Sequence, residues 1–353
     1  MGPSVTGSAR VPTGSGAGSL GPQMTTHPDV HAPWKQWSEE ATLHVACAYS
    51  NPLRWRTRRV LMNDFRQHMT ASANVALHVG ELAYGDRPFE VTAGDPLDLQ
   101  LRTVHELWHK ENILNTVVQR FPADWKYGAI IDADFHMTRR DWALEAIHQL
   151  QHYDFVQLFT TYADLSADHR PYRVMPGFAW KHLNGGQGSG SYGSYGSGGP
   201  GATGGAWAFR RSAFEAVGGL LDVCILGSAD WHMAFGLAGK ANTAPEITRC
   251  SPPYIQAVHG WQERAAVLKQ NIGYVSNHAI HHFHGSKVFR AYGERWKILR
   301  ENDYNPATDI VRDWQGIWQL AGNKPKLRDE IRGYFRARNE DDPGLRGSER
   351  ELG

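Results

Sequence analysis

The chain has 353 residues, enough for one large domain or two smaller ones. Hydrophobic residues make up 41% and charged residues 21%, a globular balance that excludes disorder, collagen and coiled coil for the bulk of the chain. Lys plus Arg (37) against Asp plus Glu (36) leaves a formal charge of +1, so no global field favours nucleic acid or an anionic membrane.

Cys47, Cys224 and Cys250 are too few and too scattered for a disulfide framework or a cysteine-based zinc site, and they suit a reduced, cytoplasmic setting. No apolar run approaches a membrane span, and the N-terminus lacks a signal-peptide core. Met1-Gly2 with Thr6 fits only the loose myristoylation pattern, against which Pro3 speaks. Residues 1–33, rich in Gly, Ser, Thr and Pro, read as a disordered arm. The charged stretch from Asn339 reads as frayed, with a tail over 341–353.

In chain order, LHVACAY (43–49) reads as a strand. Asn51 can cap a helix that carries Pro52 in its first turn, with Val60, Leu61, Phe65 and Met69 at helical spacing. NVALHV (74–79) is a second strand, and Leu107, Leu114, Val117 and Val118 mark the next helix. YGAII (127–131), a helix near 139–150 and DFVQLF (154–159) follow. This alternation predicts an α/β fold with a mainly parallel, Rossmann-like sheet, flanking helices and a C-terminal helical extension. Such sheets bind ligands beyond the carboxyl ends of their strands. From Gly185 to Gly205 eleven glycines surround Tyr192 and Tyr195, which reads as either an idle insertion or a lid.

Three segments carry chemistry. The strand ending in Ile131 runs into Asp132-Ala133-Asp134; in extended chain both carboxylates face one way and make a hard oxygen site for Mn²⁺ or Mg²⁺, the plainer reading being a solvated turn. In His281-His282-Phe283-His284-Gly285, extended chain turns His282 and His284 to one side as candidate metal ligands. Gly285 would let backbone approach a ligand, and Lys287, Arg290 and Arg295 could screen a diphosphate. A histidine-rich surface strand and a zinc hydrolase are the alternatives. In Gly227-Ser228-Ala229-Asp230, Ser228 caps a helix with Asp230 in its first turn, either a general base beside Trp207 and Trp231 or a carboxylate favoured by the helix dipole. Glu81, ending the second strand, could accept from a nucleobase or ribose, and Lys110 in the WHKEN segment (108–112) could contact a phosphate. Arg54, Arg56, Arg58 and Arg59 read first as a solvated helix face.

Together these segments resemble GT-A glycosyltransferases over about residues 42–300, with a galactosyltransferase-like C-terminal half in Gly-Gly-Ala-Trp-Ala-Phe (204–209) and Gly-Ser-Ala-Asp (227–230). The wording of 81–92 and 281–299 is also similar to a phage and bacterial branch near the TET-associated DNA-base glycosyltransferases. The resemblance implies a nucleotide-sugar half over 42–205, an acceptor half over 206–300 and an extension over 301–340. It further implies a nucleotide-diphosphate sugar, with uridine, held by Ser50, Asn51, Arg54, Glu81, Lys110, Asp132, Trp207, Lys287 and Arg290. The metal would be Mn²⁺ or Mg²⁺ on Asp132, Asp134 and His284, or His282, with Asp230 as the base. Where the family often has two acids, this chain has Ala229-Asp230. The expected reaction is inverting hexosyl transfer to an acceptor hydroxyl, a hydroxymethylated pyrimidine of DNA or else a saccharide. The rivals are a metal-dependent phosphoester hydrolase and a non-catalytic nucleotide-sugar or nucleic-acid binding module.

Overall fold

The computed structural model describes residues 1–2, 41–184, 199–241 and 249–343. The chain divides into two units, Met1–Trp37 and Ser38–Gly353. Only Met1 and Gly2 of the first are among the described residues; the sheets, helices and cavities all belong to the second. The expected arm over 1–33, the glycine-rich stretch 185–198 with its two tyrosines, and the tail beyond 343 lie outside the described residues.

The second unit begins β1 (Leu43–Ser50), α1 (Arg56–Thr70), β2 (Val75–Tyr84), β3 (Leu99–Thr103), α2 (Lys110–Val118), β4 (Tyr127–Ile131) and β5 (Phe135–Met137). It continues with α3 (Trp142–Gln149), β6 (Phe155–Gln157), β7 (Thr161–Leu165), β8 (Pro171–Pro176) and α4 (Phe178–Leu183). Next come β9 (Ala206–Arg210), α5 (Arg211–Ala216), α6 (Ala229–Leu237), α7 (Pro252–Ala265), β10 (Ile272–Tyr274) and β11 (His278–His281). The chain closes with α8 (Tyr292–Glu301), β12 (Ile310–Arg312), β13 (Trp318–Leu320) and α9 (Pro325–Ala337).

A seven-stranded sheet in the order β10-β6-β9-β4-β1-β2-β3 forms the centre of this α/β fold. The pairs of β1 with β2 and β4, β2 with β3, and β10 with β6 are parallel, whereas β9 runs antiparallel between β4 and β6. β1 is apolar and buried along most of its length, as a central strand covered on both faces must be. α1 contributes Met62, Phe65 and Met69 to the core, and α2 contributes Ile113, Leu114, Val117 and Val118. Residues on both sides of position 205 share this one sheet.

A second sheet, β5-β11-β7-β8, adjoins it and sets a register that matters for the site. His281 of β11 lies opposite Phe135 of β5 and opposite Asp164 of β7. Phe135, His281 and Asp164 therefore share one row, and Asp134 is the residue just before it, opposite His282. The extension is helical as expected but also carries the antiparallel β12–β13 pair.

Several local expectations are corrected. Asn51 does not cap α1, which begins at Arg56 behind Trp55; the Asn51 side chain instead closes a tight turn by accepting from Trp55 N at 2.9 Å. β2 continues to Tyr84, so Glu81 sits inside the strand rather than at its end. α2 starts at Lys110, leaving Leu107 buried ahead of it.

Candidate functional site

β4 ends at Ile131, and Phe135 N donates to Asp132 O at 3.0 Å. Asp132-Ala133-Asp134 is thus a turn, not extended chain, and it sends its two carboxylates to different partners along one cavity wall. Asp132 takes Lys110 Nζ, 2.6 Å from Oδ1 and 2.8 Å from Oδ2. Asp134 Oδ2 lies 2.8 Å from His284 Nε2 and 3.4 Å from His281 Nε2. Burial raises the Asp132 carboxyl above its ordinary value even against Lys110. At Asp134 the same burial is outweighed by the His281 and His284 imidazoles, which hold it well below. Lys110 shows the mirror balance: burial would lower it, but Asp132, Glu111 and Asp230 raise its ammonium.

Asp134, His281 and His284 each offer a ligand atom within 4.8 Å of the others. Asp134 Oδ1 is buried without a hydrogen-bond partner. His281 Nδ1 is bonded to Asp164 Oδ1 at 2.6 Å, which leaves Nε2 directed at Asp134. A carboxylate behind an imidazole in this way orients metal-binding histidines. Burial would lower the His281 pKa, yet Asp134 and Asp164 together raise it to about 9. The three residues fit a divalent cation.

The expected pairing of His282 with His284 is corrected. β11 stops at His281, so strand alternation no longer governs the next residues. His282 N donates to Asp134 O at 2.8 Å, while its ring packs 4.3 Å from His136, which in turn stacks on His68. Asp132 likewise belongs to Lys110 rather than to the Asp134 cluster.

The cluster opens onto a cavity of ≈ 150 Å³ in which Arg58, Lys110 and Arg338 face Asp132, Asp134 and Glu340. Ser50 lines it, its Oγ 2.7 Å from Tyr84 Oη. A smaller cavity of ≈ 40 Å³ shares Lys110 and Asp132 with the first and is lined by Trp207 and Asp230. Asp230 stands in the first turn of α6, where Thr203 Oγ1 donates to its Oδ2 at 3.3 Å. Ser228 has φ 79° and makes no side-chain cap, contrary to expectation. A Cβ on Gly204 would fall 2.5 Å from Asp230 Oδ2, and Gly205 holds φ +92° against the Phe135 ring. The Gly-Gly pair thus lets the backbone pass between the two carboxylate sites. Trp207, anchored by Nε1 to Thr203 O at 2.8 Å, is a wall of the smaller cavity; Trp231 packs on Phe235 and is not.

Four further expectations change. Glu81 is 2% exposed and its carboxylate accepts from the backbone amides of Glu90, Val91 and Thr92, so it holds a loop rather than a ligand. Asn51 is consumed by its turn and by Tyr49 and Glu90. Arg54 is exposed, 3.8 Å from Glu90 and away from the cavity wall. Lys287 bonds Asp164, and Arg290 Nη2 lies 2.8 Å from His284 Nε2; both are engaged with the cluster and neither lines the cavity. Reading by residue type missed His281, Arg58, Arg338 and Glu340. For His281 no local signal existed, since Asp164, the acid that its strand register brings alongside, lies 117 positions away.

No helix among the described residues is long and apolar enough to cross a membrane. No family model matches the chain, and no curated protein matches it. Among solved structures, it is similar to a mutant Drosophila β-1,4-galactosyltransferase 7 in complex with manganese, UDP-Gal and xylobiose, at 13% identity and TM-score 0.35, covering 82% of this chain and 99% of that one. It is also similar to the mannosyltransferase PcManGT of Pyrobaculum calidifontis in complex with GDP-Man and Mn²⁺, at 12% identity and TM-score 0.32, covering 67% and 78%. Likenesses this loose fix no activity for the chain.

Proposed function

We propose that the chain is a metal-dependent glycosyltransferase of GT-A type that moves a hexose from a nucleotide-diphosphate sugar, with uridine as the base, to an acceptor hydroxyl. One observation carries this reading: a metal-competent cluster and a separate carboxylate lie at adjoining cavities that share the Lys110–Asp132 pair as a common wall. The cation, Mn²⁺ or Mg²⁺, would supply the positive charge that stabilises a leaving diphosphate. Without it the larger cavity carries three cations and three carboxylates, a near-neutral wall with no surplus for a diphosphate.

In this mechanism Asp134, His281 and His284 hold the cation and Lys110 meets the donor phosphates. Asp230 accepts the acceptor's proton as its oxygen bonds to the anomeric carbon and the bond from that carbon to the diphosphate oxygen breaks. Trp207 walls the sugar against water. Attack from the face opposite the diphosphate gives inversion. Hydroxymethylated DNA is one acceptor arm and a saccharide the other. Two basic residues of the C-terminal extension that could meet a polyanion are engaged in ion pairs, Lys324 with Asp309 at 2.8 Å and Arg336 with Glu106 at 2.7 Å.

The test is incubation with a panel of nucleotide sugars, Mn²⁺ and both acceptor types, read by mass spectrometry. Acceptor-dependent release of nucleoside diphosphate with a hexose mass shift is the expected result. Free phosphate would show a hydrolase instead, and binding without turnover a non-catalytic module.

A further inference from the structure

The resemblance stops near residue 300, yet the chain's later segment returns to the larger cavity. α9 buries Leu327, Ile331, Tyr334 and Phe335, and the residues after it run along the cavity wall. The described part of the stretch expected to fray, residues 339–343, is anchored there. Glu340, 3% exposed, receives Arg58 Nε at 2.6 Å and Nη2 at 2.7 Å. It also receives Arg338 Nε at 3.0 Å and Nη2 at 2.9 Å. Asp341 accepts from the first amides of α1, Arg56 N at 2.9 Å and Thr57 N at 2.8 Å. Gly285 makes the fit possible, since a Cβ there would lie 2.5 Å from Asn339 O and 2.8 Å from Glu340 Cα. The close approach that this glycine permits is therefore to the chain itself.

Arg338 is the residue this arrangement presents. It is 5% exposed, lines the cavity, and lies 5.2 Å over the Trp108 ring, which fixes its plane. Arg58 and Arg338 share one carboxylate, so the trio carries one positive charge in excess. A guanidinium has five donors; Nε and Nη2 serve Glu340 and Nη1 reaches Tyr334 Oη at 3.4 Å, which leaves donors for an anion. We infer that Arg338 is a diphosphate-binding residue of the donor site, presented by the Arg338–Asp341 segment. The inference rests on the nucleotide-diphosphate reading of the larger cavity.

Calorimetry of UDP and of uridine, each with Mn²⁺, tests it on the full chain. Arg338→Gln is expected to weaken UDP about tenfold or more, the scale of a lost charge-assisted hydrogen bond, with uridine unchanged. Arg338→Lys is expected to fall between, because it keeps charge but loses the fork. Equal weakening of UDP and uridine would mean a merely structural role, and unchanged UDP affinity would also overturn the inference. If Arg338→Gln does not fold, wild-type hydrogen exchange decides: amides over 338–343 slow with UDP and Mn²⁺ but not with uridine and Mn²⁺, and unchanged exchange overturns it. A wild type that binds uridine and UDP alike, or neither, defeats the diphosphate reading itself, a result distinct from wild-type UDP binding that Arg338→Gln leaves intact.

Discussion

The Lys110 ammonium straddles the Asp132 carboxylate, 2.6 Å from one oxygen and 2.8 Å from the other, at the partition between the two cavities. The first acid of the Asp-x-Asp turn is thereby a partner of lysine and not of the histidine cluster. Lys110→Met takes the ammonium from Asp132 and removes one of the cavity's cations from the donor phosphates. Donor affinity, read by calorimetry, is expected to fall about tenfold or more. Unchanged affinity would place the diphosphate elsewhere.

Metal binding separates the histidines. His281→Asn and Asp134→Asn are each expected to weaken Mn²⁺ binding by about a hundredfold or more, whereas His282→Asn leaves it near wild type. Titration followed by the Mn²⁺ paramagnetic resonance signal reads this directly, without any turnover. Loss of binding in the His282 variant alone would reverse the assignment.

Much of the scaffold was legible because strands covered on both faces are apolar runs, and β1 and β4 are such runs. The Asp132, Asp134 and Asp230 positions could be read from their places at a strand end and a helix start. His281 could not, because alternation was carried past the true end of β11 at His281. Glu81 misled for a related reason: strand β2 runs three residues beyond it, which turns a supposed rim residue into a buried one. Arg58 and Glu340 are 282 positions apart, and no local pattern reports a pair of that separation.

Asp230→Asn preserves shape but cannot accept a proton. Turnover is expected to drop by about 10²–10⁴ with donor affinity held, the signature of a lost general base. Single-turnover kinetics beside calorimetry distinguishes this from a binding defect.

Gly204→Ala tests the same carboxylate from the backbone side. The added methyl would sit 2.5 Å from Asp230 Oδ2, so the carboxylate must move while the sheet beneath is untouched. Turnover is expected to fall by about tenfold or more with little change in Tm, since a small misplacement of a reacting group is costly. A Tm drop without loss of turnover would show the contact to be structural.

Glu111 sets a pH dependence. Burial raises its pKa from 4.5 to about 7, against Lys110 and with help from Asp230. The folded state therefore holds a proton that the unfolded chain releases, and Glu111's contribution is full below pH 4.5 and lost as pH rises through 7. Glu111→Gln removes that loss, which is at most about 3 kcal/mol. Tm of the variant relative to wild type is expected to climb between pH 5 and pH 8. Parallel Tm profiles would show Glu111 ionising normally.

The clasp of Arg58 by Glu340 and of the α1 amides by Asp341 also has a consequence for biosynthesis. Translation is vectorial, and the strands of the central sheet are all made before residue 275 leaves the ribosome. A nascent chain can thus assemble its sheet while α1 still lacks its distal clasp. Completion of the larger cavity waits for a loop closure across most of the polypeptide, a slow kind of contact. Ribosome-stalled intermediates halted before residue 338 would hold the central sheet yet bind the donor more weakly than the full chain.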